Sequence, residues 1–303
     1  MTKNFAASLR AKLLARAKAD GIDFNRMLVR YGIERMLFRI SIHEDARRRF
    51  VLKGAMLFVA WREGVPRPTA DLDLLGSGSS EIEPMRDLFI TICGIEVEDG
   101  IIFDASTIDV SAIREEQECQ GLRVTMTARL DGARIPIQID IGFGDAIYPA
   151  VQQVDFPTLI EGMKAPRIDA YPPTSVVAEK FEAMVQLGML NSRLKDYYDI
   201  WMISQCTPFE RAELVQAITA TLQRRGTDQP VDFPVALTDE FSGNQDKQYL
   251  WKGFLNRTVP ERADLDLPRI VDELRTFLGP VIQTLSAPEA ATGNWSPGIG
   301  WQG

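Results

Sequence analysis

The strongest constraint on the fold is a series of segments that alternate polar and apolar residues between Ser106 and Phe143. The segments read STIDVSAI, GLRVTMTARL and RIPIQIDIGF, and Asp131-Gly132, a dipeptide typical of two-residue hairpin turns, separates the last two. Alternation with a period of two places the apolar residues on one face of a sheet. These segments therefore predict antiparallel strands with one buried face.

Helical patterns flank these strands. Apolar residues recur at helical spacing in residues 1–49, in residues 80–94 and again after Thr174, whereas LDLL at residues 72–75 reads as a short strand. We therefore expect an α+β (α/β) fold, with a mixed sheet and flanking helices. A short basic helical segment should precede it, and a helical C-terminal half should follow.

Changes in composition divide the chain into four expected segments. The last of them is rich in Gly, Pro and small residues, so we expect it to be flexible or loosely docked. The segments are a basic helical segment (1–49), the sheet-containing core (50–165), a helical domain (166–285) and the tail (286–303).

Charge is distributed unevenly along the chain. The net charge is −8, whereas the first fifty residues hold twelve Lys and Arg against five Asp and Glu. The negative total argues against a protein that coats nucleic acid non-specifically. The basic first segment fits attraction of a polyanion, although a set of solvated helix faces would explain the same charge.

Several classes of protein are excluded by what the sequence lacks. No apolar run approaches the roughly 18 residues that span a bilayer, and residues 1–20 lack the apolar core of a signal peptide, so we expect a cytoplasmic protein without membrane contact. The three cysteines lack a CxxC spacing, which argues against a zinc knuckle or a disulfide framework. The single histidine, His43, lies among charged residues and is expected to be an exposed helix residue. Any chemistry must therefore use carboxylates, lysines, hydroxyls or a hard metal ion.

Asp71 and Asp73 form the most informative pair. On a strand, alternation places both carboxylates on one face while Leu72 and Leu74 point into the core. Adjacent like charges are tolerated when a divalent cation lies between them, and oxygen ligands favour Mg²⁺ or Mn²⁺ over zinc. Exposed strands and turns also carry such pairs, so the pair alone leaves both readings open.

Asp140 is a further acidic candidate. It shares a polar face with Pro136 and Gln138 in an otherwise strongly apolar strand, and an acid in that position needs a partner. The partner is either an arginine or solvent on an open sheet face, or the cation that Asp71 and Asp73 would hold. The second possibility gives three carboxylates on adjacent strands, which is the arrangement used for metal-assisted phosphoryl transfer.

Two basic elements accompany these acids. Lys53-Gly54-Ala55 lies where the chain should turn into a helix, and small residues there let backbone N–H groups approach a phosphate. Lys180 projects from a later helix, and its compact charge can neutralise a triphosphate. Asp196 and Asp199 share a face of the next helix, although a surface salt-bridge lattice would explain the same cluster.

Taken in order, these elements resemble the nucleotidyltransferase superfamily, in which a small-residue pair such as Gly54-Ala55 precedes Asp71-x-Asp73 and a separate third carboxylate such as Asp140. PRPTADLDLL resembles the Arg-x-Ser-x-Asp-x-Asp element of the AbiEii/AbiGii-type toxins, with Arg67 and Thr69 at the Arg and Ser positions. VVAEKFEAMVQLGMLNSRLKDYYDIW resembles their later element, a Glu-Lys followed by Arg/Lys-Asp-x-x-Asp.

The resemblance implies a toxin that transfers a nucleoside monophosphate from an NTP to an acceptor, such as the acceptor end of a tRNA, and that has a cognate antitoxin as its partner. Asp71 and Asp73 would hold Mg²⁺ or Mn²⁺, and Asp140 would complete the metal shell or accept the acceptor's proton. Lys180 would contact the triphosphate, and Asp196 would orient Lys180 or the acceptor end. The residues implied to bind nucleotide are Lys53, Gly54, Ala55, Arg67, Thr69 and Lys180.

The resemblance spans about residues 50–200, and two positions depart from the family pattern. Gly54-Ala55 replaces the family's Gly-Gly-Thr-Ala or Gly-Ser, which removes a hydroxyl near the phosphates, and Thr69 replaces the usual Ser. Two other functions stay open. A small-molecule nucleotidyltransferase of the antibiotic-modifying type would use the same carboxylates. In a non-catalytic interaction protein, the charged motifs would be salt bridges only.

Overall fold

The computed structural model describes residues 3–61, 69–113, 121–287, 289 and 291–303. They divide into two compact units. The first comprises the described parts of 1–62, 69–144 and 152–170, and the second comprises 145–151 and the described parts of 171–303. The N-terminal helices, which we expected to form a segment of their own, belong to the same unit as the sheet.

The first unit is built around one seven-stranded sheet. Its helices are α1 (Lys3–Ala19), α2 (Phe24–Ile42), α3 (Glu44–Arg49), α4 (Met56–Trp61) and α5 (Ile82–Cys93). Its strands are β1 (Phe50–Lys53), β2 (Asp71–Gly76), β3 (Ile102–Ile113), β4 (Gly121–Leu130), β5 (Ala133–Phe143), β6 (Gln152–Asp155) and β7 (Arg167–Ala170).

The sheet is mixed, as predicted, with the strand order β3-β4-β5-β2-β1-β7-β6. The pairs β2–β5 and β1–β7 are parallel, and the other neighbours are antiparallel. The apolar positions of the alternating strands are buried, and the side chains of Leu72, Leu74 and Ile139 have no exposed surface. Asp131 and Gly132 adopt positive φ angles of 43° and 80°, which confirms the tight turn between β4 and β5.

A buried charged network anchors helix α2. Arg35 and Arg39 both donate hydrogen bonds to the carboxylate of Asp99, at 3.0 and 2.6 Å, and the hydroxyl of Tyr31 donates to the backbone carbonyl of Asp99 at 2.6 Å. All four side chains are buried. Because removing one partner would leave an uncompensated charge in the interior, the network fixes α2 against the loop before β3.

His43 differs from its expected place on an exposed helix surface. It is half-buried and caps the start of α3, where its Nδ1 atom accepts a hydrogen bond from the backbone N–H of Ala46 at 3.2 Å. The imidazole thus satisfies a helix N–H group that would otherwise need water.

The second unit is mainly helical, as predicted for the C-terminal half. Its helices are α6 (Pro173–Leu187), α7 (Leu194–Cys206), α8 (Arg211–Arg225), α9 (Asp239–Ser242), α10 (Gln245–Thr258) and α11 (Leu267–Thr284). Its strands are β8 (Phe209–Glu210), β9 (Asn294–Ser296) and β10 (Gly300–Gln302), which form a small antiparallel sheet. Among the described residues of both units, no helix combines the length and the apolar character needed to cross a bilayer.

The tail that we expected to be flexible or loosely docked contains the β9–β10 hairpin. Trp295 of β9 is buried, lies 4.9 Å from the ring of Phe277 between centroids, and donates its indole N–H to the carbonyl of Ser204 at 2.7 Å. The ring of Trp301 stacks on Phe277 from β10. Burial of these large rings orders a segment whose Gly and Pro content alone predicts mobility.

Candidate functional site

Four neighbouring strands place charged residues side by side at one level of the sheet. Lys53 of β1 is the register partner of Asp73 in β2. Asp73 is in turn the partner of Asp140 in β5, and Asp140 is the partner of Arg123 in β4. Register partners share a face of the sheet, so these residues form a line with the charges plus, minus, minus, plus. We call Lys53, Asp73, Asp140 and Arg123 the charged row.

Asp71 lies one step along the same face. Its register partner is Gln138 of β5, next to the Asp73–Asp140 pair. Leu72 and Leu74, between and beyond the two acids on β2, are fully buried, whereas the acids are half-buried. The structure therefore confirms that Asp71 and Asp73 share the polar face and brings Asp140 beside them.

Gly54 makes room for Asp73. The residue follows β1 with a φ of +69°, and a Cβ atom added to it would lie 2.0 Å from Oδ2 of Asp73. Ala55 completes the turn and buries its methyl group before α4 begins at Met56. The small-residue pair therefore lies at the predicted turn into a helix, and a glycine is required there because the carboxylate occupies the space of a side chain.

The partner of Asp140 is an arginine. Arg123 donates from Nε to Oδ1 and from Nη2 to Oδ2, both at 2.8 Å, and Gln138 donates from Nε2 to the same carboxylate at 3.3 to 3.4 Å. Two parallel charge-assisted bonds make this a strong pair. The hydrogen bonds to Asp140, together with the negative charges of Asp140, Asp71 and Asp73, raise the pKa of Arg123. All three carboxylates thus act on one guanidinium group.

The donor set on β2 suits a hard divalent cation. Asp71 and Asp73 present carboxylate oxygens on one face, and oxygen is the ligand that such ions prefer. In the described part of the chain, however, no three His, Cys, Asp or Glu side chains are arranged to hold a metal ion. The two acids of β2 are thus suitable ligands for a divalent cation, whereas both oxygens of Asp140 are bound by Arg123.

Arg67 and Thr69 are the two candidates just before Asp71, and only Thr69 is among the described residues. The hydroxyl of Thr69 accepts from the backbone N–H of Asp71 at 3.4 Å and donates to its carbonyl at 3.3 Å, so it supports the start of β2. Arg67 lies outside the described residues.

The second unit brings Lys180 and Asp196 together. The Nζ atom of Lys180 on α6 lies 2.7 Å from Oδ1 of Asp196 and 2.8 Å from Oδ2 of Asp199, and both acids are on α7 with no exposed surface. Arg193 adds a contact of 2.8 Å from its Nε to Oδ2 of Asp196. Lys180 is therefore held between two buried carboxylates.

Arg123 is the residue that sequence reasoning missed. A signal for it was present, because a two-residue turn at Asp131-Gly132 fixes the register of the hairpin and pairs Arg123 with Asp140. Asp199 was recognised on the face of Asp196, but not as a second partner of Lys180.

A family model described as "Nucleotidyl transferase AbiEii toxin, Type IV TA system" matches residues 35–289. No curated protein matches the chain. The crystal structure of JHP933 from Helicobacter pylori is similar, with 14% identity, a TM-score of 0.46, and coverage of 84% of this chain and 91% of that chain. A crystal structure of a candidate nucleotidyltransferase from H. pylori has 15% identity, a TM-score of 0.45, and coverage of 83% and 92%.

The family match spans the positions of the charged row and of Lys180, Asp196 and Asp199. Because it extends over most of the sequence, the chain belongs to the AbiEii family of nucleotidyl transferase toxins of type IV toxin–antitoxin systems.

Proposed function

We propose that the protein uses a divalent cation to transfer a nucleoside monophosphate from an NTP to an RNA acceptor, such as the acceptor end of a tRNA. Family membership supplies the toxin and nucleotidyl transferase parts of this function and implies a cognate antitoxin. The use of a cation in the transfer is supported by the placement of Asp71 and Asp73 beside Gly54, with Asp140 in register on the next strand.

Asp71 and Asp73 would hold Mg²⁺ or Mn²⁺. When bound, the cation would neutralise the triphosphate and the charge that develops on the pyrophosphate leaving group. In the transfer, the acceptor oxygen forms a bond to the α-phosphorus, and the bond to the pyrophosphate oxygen breaks. Asp140 would then act either as a further cation ligand or as the group that takes the acceptor's proton.

The remaining candidates have supporting roles in this proposal. Lys53, opposite Asp73, would contact phosphate, as would the backbone of Gly54 and Ala55. Thr69 would act through the backbone of Asp71. Arg67 would bind the nucleotide. Lys180 would contact the triphosphate, and Asp196 would orient Lys180.

The charge of helix α1 supports an RNA acceptor. The helix contains no acidic residue, and Arg10, Lys12 and Lys18 are exposed on it. It belongs to the same unit as the charged row. Such a surface attracts a polyanion more than it attracts a small-molecule acceptor.

The test uses the full chain and an Asp73→Asn variant with Mg²⁺, each of the four α-labelled NTPs and total bacterial RNA. We expect label in a discrete RNA band with the unaltered protein alone. Asp109→Asn is the matched control, because it removes an exposed carboxylate from β3 of the same sheet and should leave labelling intact. Label that enters only small molecules would refute the RNA acceptor. Equal labelling by the Asp73 variant would refute the assigned site.

A further inference from the structure

Arg123 and Asp140 form a paired, charge-assisted contact beside Asp73 in the sheet. Both oxygens of Asp140 accept from the guanidinium at 2.8 Å, in the two-pronged geometry that arginine makes with carboxylates. Asp140 is thereby oriented toward β4.

Either a guanidinium or a divalent cation can supply positive charge beside Asp140. Asp71, Asp73 and Asp140 lie on one face of two adjacent strands, and their mutual repulsion requires positive charge nearby. Arg123 supplies such charge to Asp140 in the structure, and Lys53 is the register partner of Asp73. A cation that included Asp140 among its ligands would therefore compete with Arg123 for the same two oxygens.

Arg123 is able to leave Asp140 without being buried elsewhere. Its side chain is 43% exposed, whereas that of Asp140 is 21% exposed, so the arginine is the more exposed partner. If the guanidinium left Asp140 for water alone, it would lose two paired hydrogen bonds and gain only hydration. A triphosphate would offer it phosphate oxygens in the same paired geometry.

We propose that Arg123 is a positioning residue that occupies Asp140 until a divalent cation and a nucleotide bind together. The inference rests on the proposed function of the carboxylates. Cation binding without nucleotide is weakened because it must break the Arg123–Asp140 pair. Nucleotide removes this cost by accepting the guanidinium, so each ligand strengthens the binding of the other.

The test measures Mn²⁺ binding to the full chain by electron paramagnetic resonance, without nucleotide and with the α,β-methylene analogues of ATP and GTP, which are not cleaved at the α–β bond. For Arg123→Gln we expect about five-fold tighter Mn²⁺ binding without nucleotide, and a smaller gain on adding analogue than in the unaltered protein. This readout does not depend on catalytic activity.

Arg129→Gln is the matched control. Arg129 lies on the same strand and face, pairs with Asp104 at 3.2 Å and is 55% exposed, so its removal changes the net charge equally without touching Asp140. An equal rise in Mn²⁺ affinity in both variants would show a general charge effect and overturn the proposal. Unchanged affinity in Arg123→Gln would overturn it as well.

Two further variants separate the possible failures. In Arg123→Gln combined with Asp140→Asn, the gain in affinity should disappear, and a gain that persists would contradict the proposal.

Asp73→Asn should abolish Mn²⁺ binding. If it does while Arg123→Gln has no effect, the inference about Arg123 fails and the assigned cation site stands. If Asp73→Asn binds Mn²⁺ normally, the proposed function itself fails. Arg123→Lys, which keeps the charge but cannot make the paired bonds, replaces the glutamine variant if that variant does not fold.

Discussion

No side chain at residue 54 can coexist with the carboxylate of Asp73, since a Cβ atom on Gly54 would lie 2.0 Å from Oδ2 of Asp73. The register of β1 and β2 places Lys53 opposite Asp73, so the turn that follows β1 must pass over this carboxylate. The position of the acid therefore depends on the backbone of the neighbouring turn as much as on its own strand.

Gly54→Ala should be more destabilising than an ordinary glycine substitution and should weaken Mn²⁺ binding, because Asp73 must move. Gly78 is the matched control, since its φ of +82° is similar and a Cβ there meets nothing within 4 Å. Gly78→Ala should cost only the backbone strain, about 1 to 2 kcal/mol. Denaturant unfolding of the two variants measures the difference, and equal losses would contradict a close contact at Gly54.

Lys180→Met should lower the free energy of unfolding by about 3 to 5 kcal/mol, because it leaves buried Asp196 and Asp199 short of one positive charge. Adding Asp199→Asn to this variant should restore part of the loss. Exposed Lys252 on α10 provides the control, and Lys252→Met should change stability by no more than about 0.5 kcal/mol. Similar values for the two single variants would show that Lys180 does not compensate a buried charge.

Stability should fall in alkali because of Cys93. Burial raises the pKa of its thiol from 9.0 to about 12. Between these values the folded chain keeps the proton that the unfolded chain has lost, so the free energy of unfolding decreases as pH rises, by up to about 1.4 kcal/mol per pH unit. Urea unfolding from pH 8 to 10.5 should show a shallower decrease for Cys93→Ala. The same substitution at exposed Cys206 should leave the slope unchanged.

The C-terminal hairpin should contribute to the stability of the second unit. Trp295→Ala removes the contact with Phe277 and the hydrogen bond to Ser204, with an expected cost of about 3 to 5 kcal/mol. Ile299→Ala, at a turn residue that is 71% exposed, should change stability by less than about 0.5 kcal/mol. Thermal unfolding distinguishes these outcomes. Removal of residues 291–303 by protease without loss of stability would show that the hairpin is not part of the packed core.

The sequence predicted which face the acids share, and it left open whether the partner of Asp140 is an arginine, solvent or a cation. The period of two along a strand is a local property, so it correctly placed Asp71 and Asp73 opposite Leu72. Which strand lies beside β2 is set by parallel pairing with β5, a distant segment that local patterns do not specify. Only the tight turn at Asp131-Gly132 predicts a pairing between strands, because it fixes the register that places Arg123 opposite Asp140.

Two local features depend on contacts that form only in the folded chain. Composition predicted a tail that is flexible or loosely docked, and composition alone does not show that Trp295 packs against Phe277 of α11. Similarly, nothing local to His43 showed that its ring would accept the N–H of Ala46 and begin a helix. In each case a specific contact in the folded chain decided between conformations that the local sequence permits equally.

The pairing of Asp140 with Arg123 and its placement beside Asp73 differ in how early they can form during folding. Arg123 and Asp140 are 17 residues apart in one hairpin, whereas Asp73 meets Asp140 only when β2 inserts between β1 and β5. Short loops close at a lower entropy cost and tend to form first. Asp140 should therefore already be neutralised when Asp73 arrives, so the centre of the sheet closes without forcing two bare carboxylates together. During folding, Arg123 would therefore allow the acids to be assembled on adjacent strands.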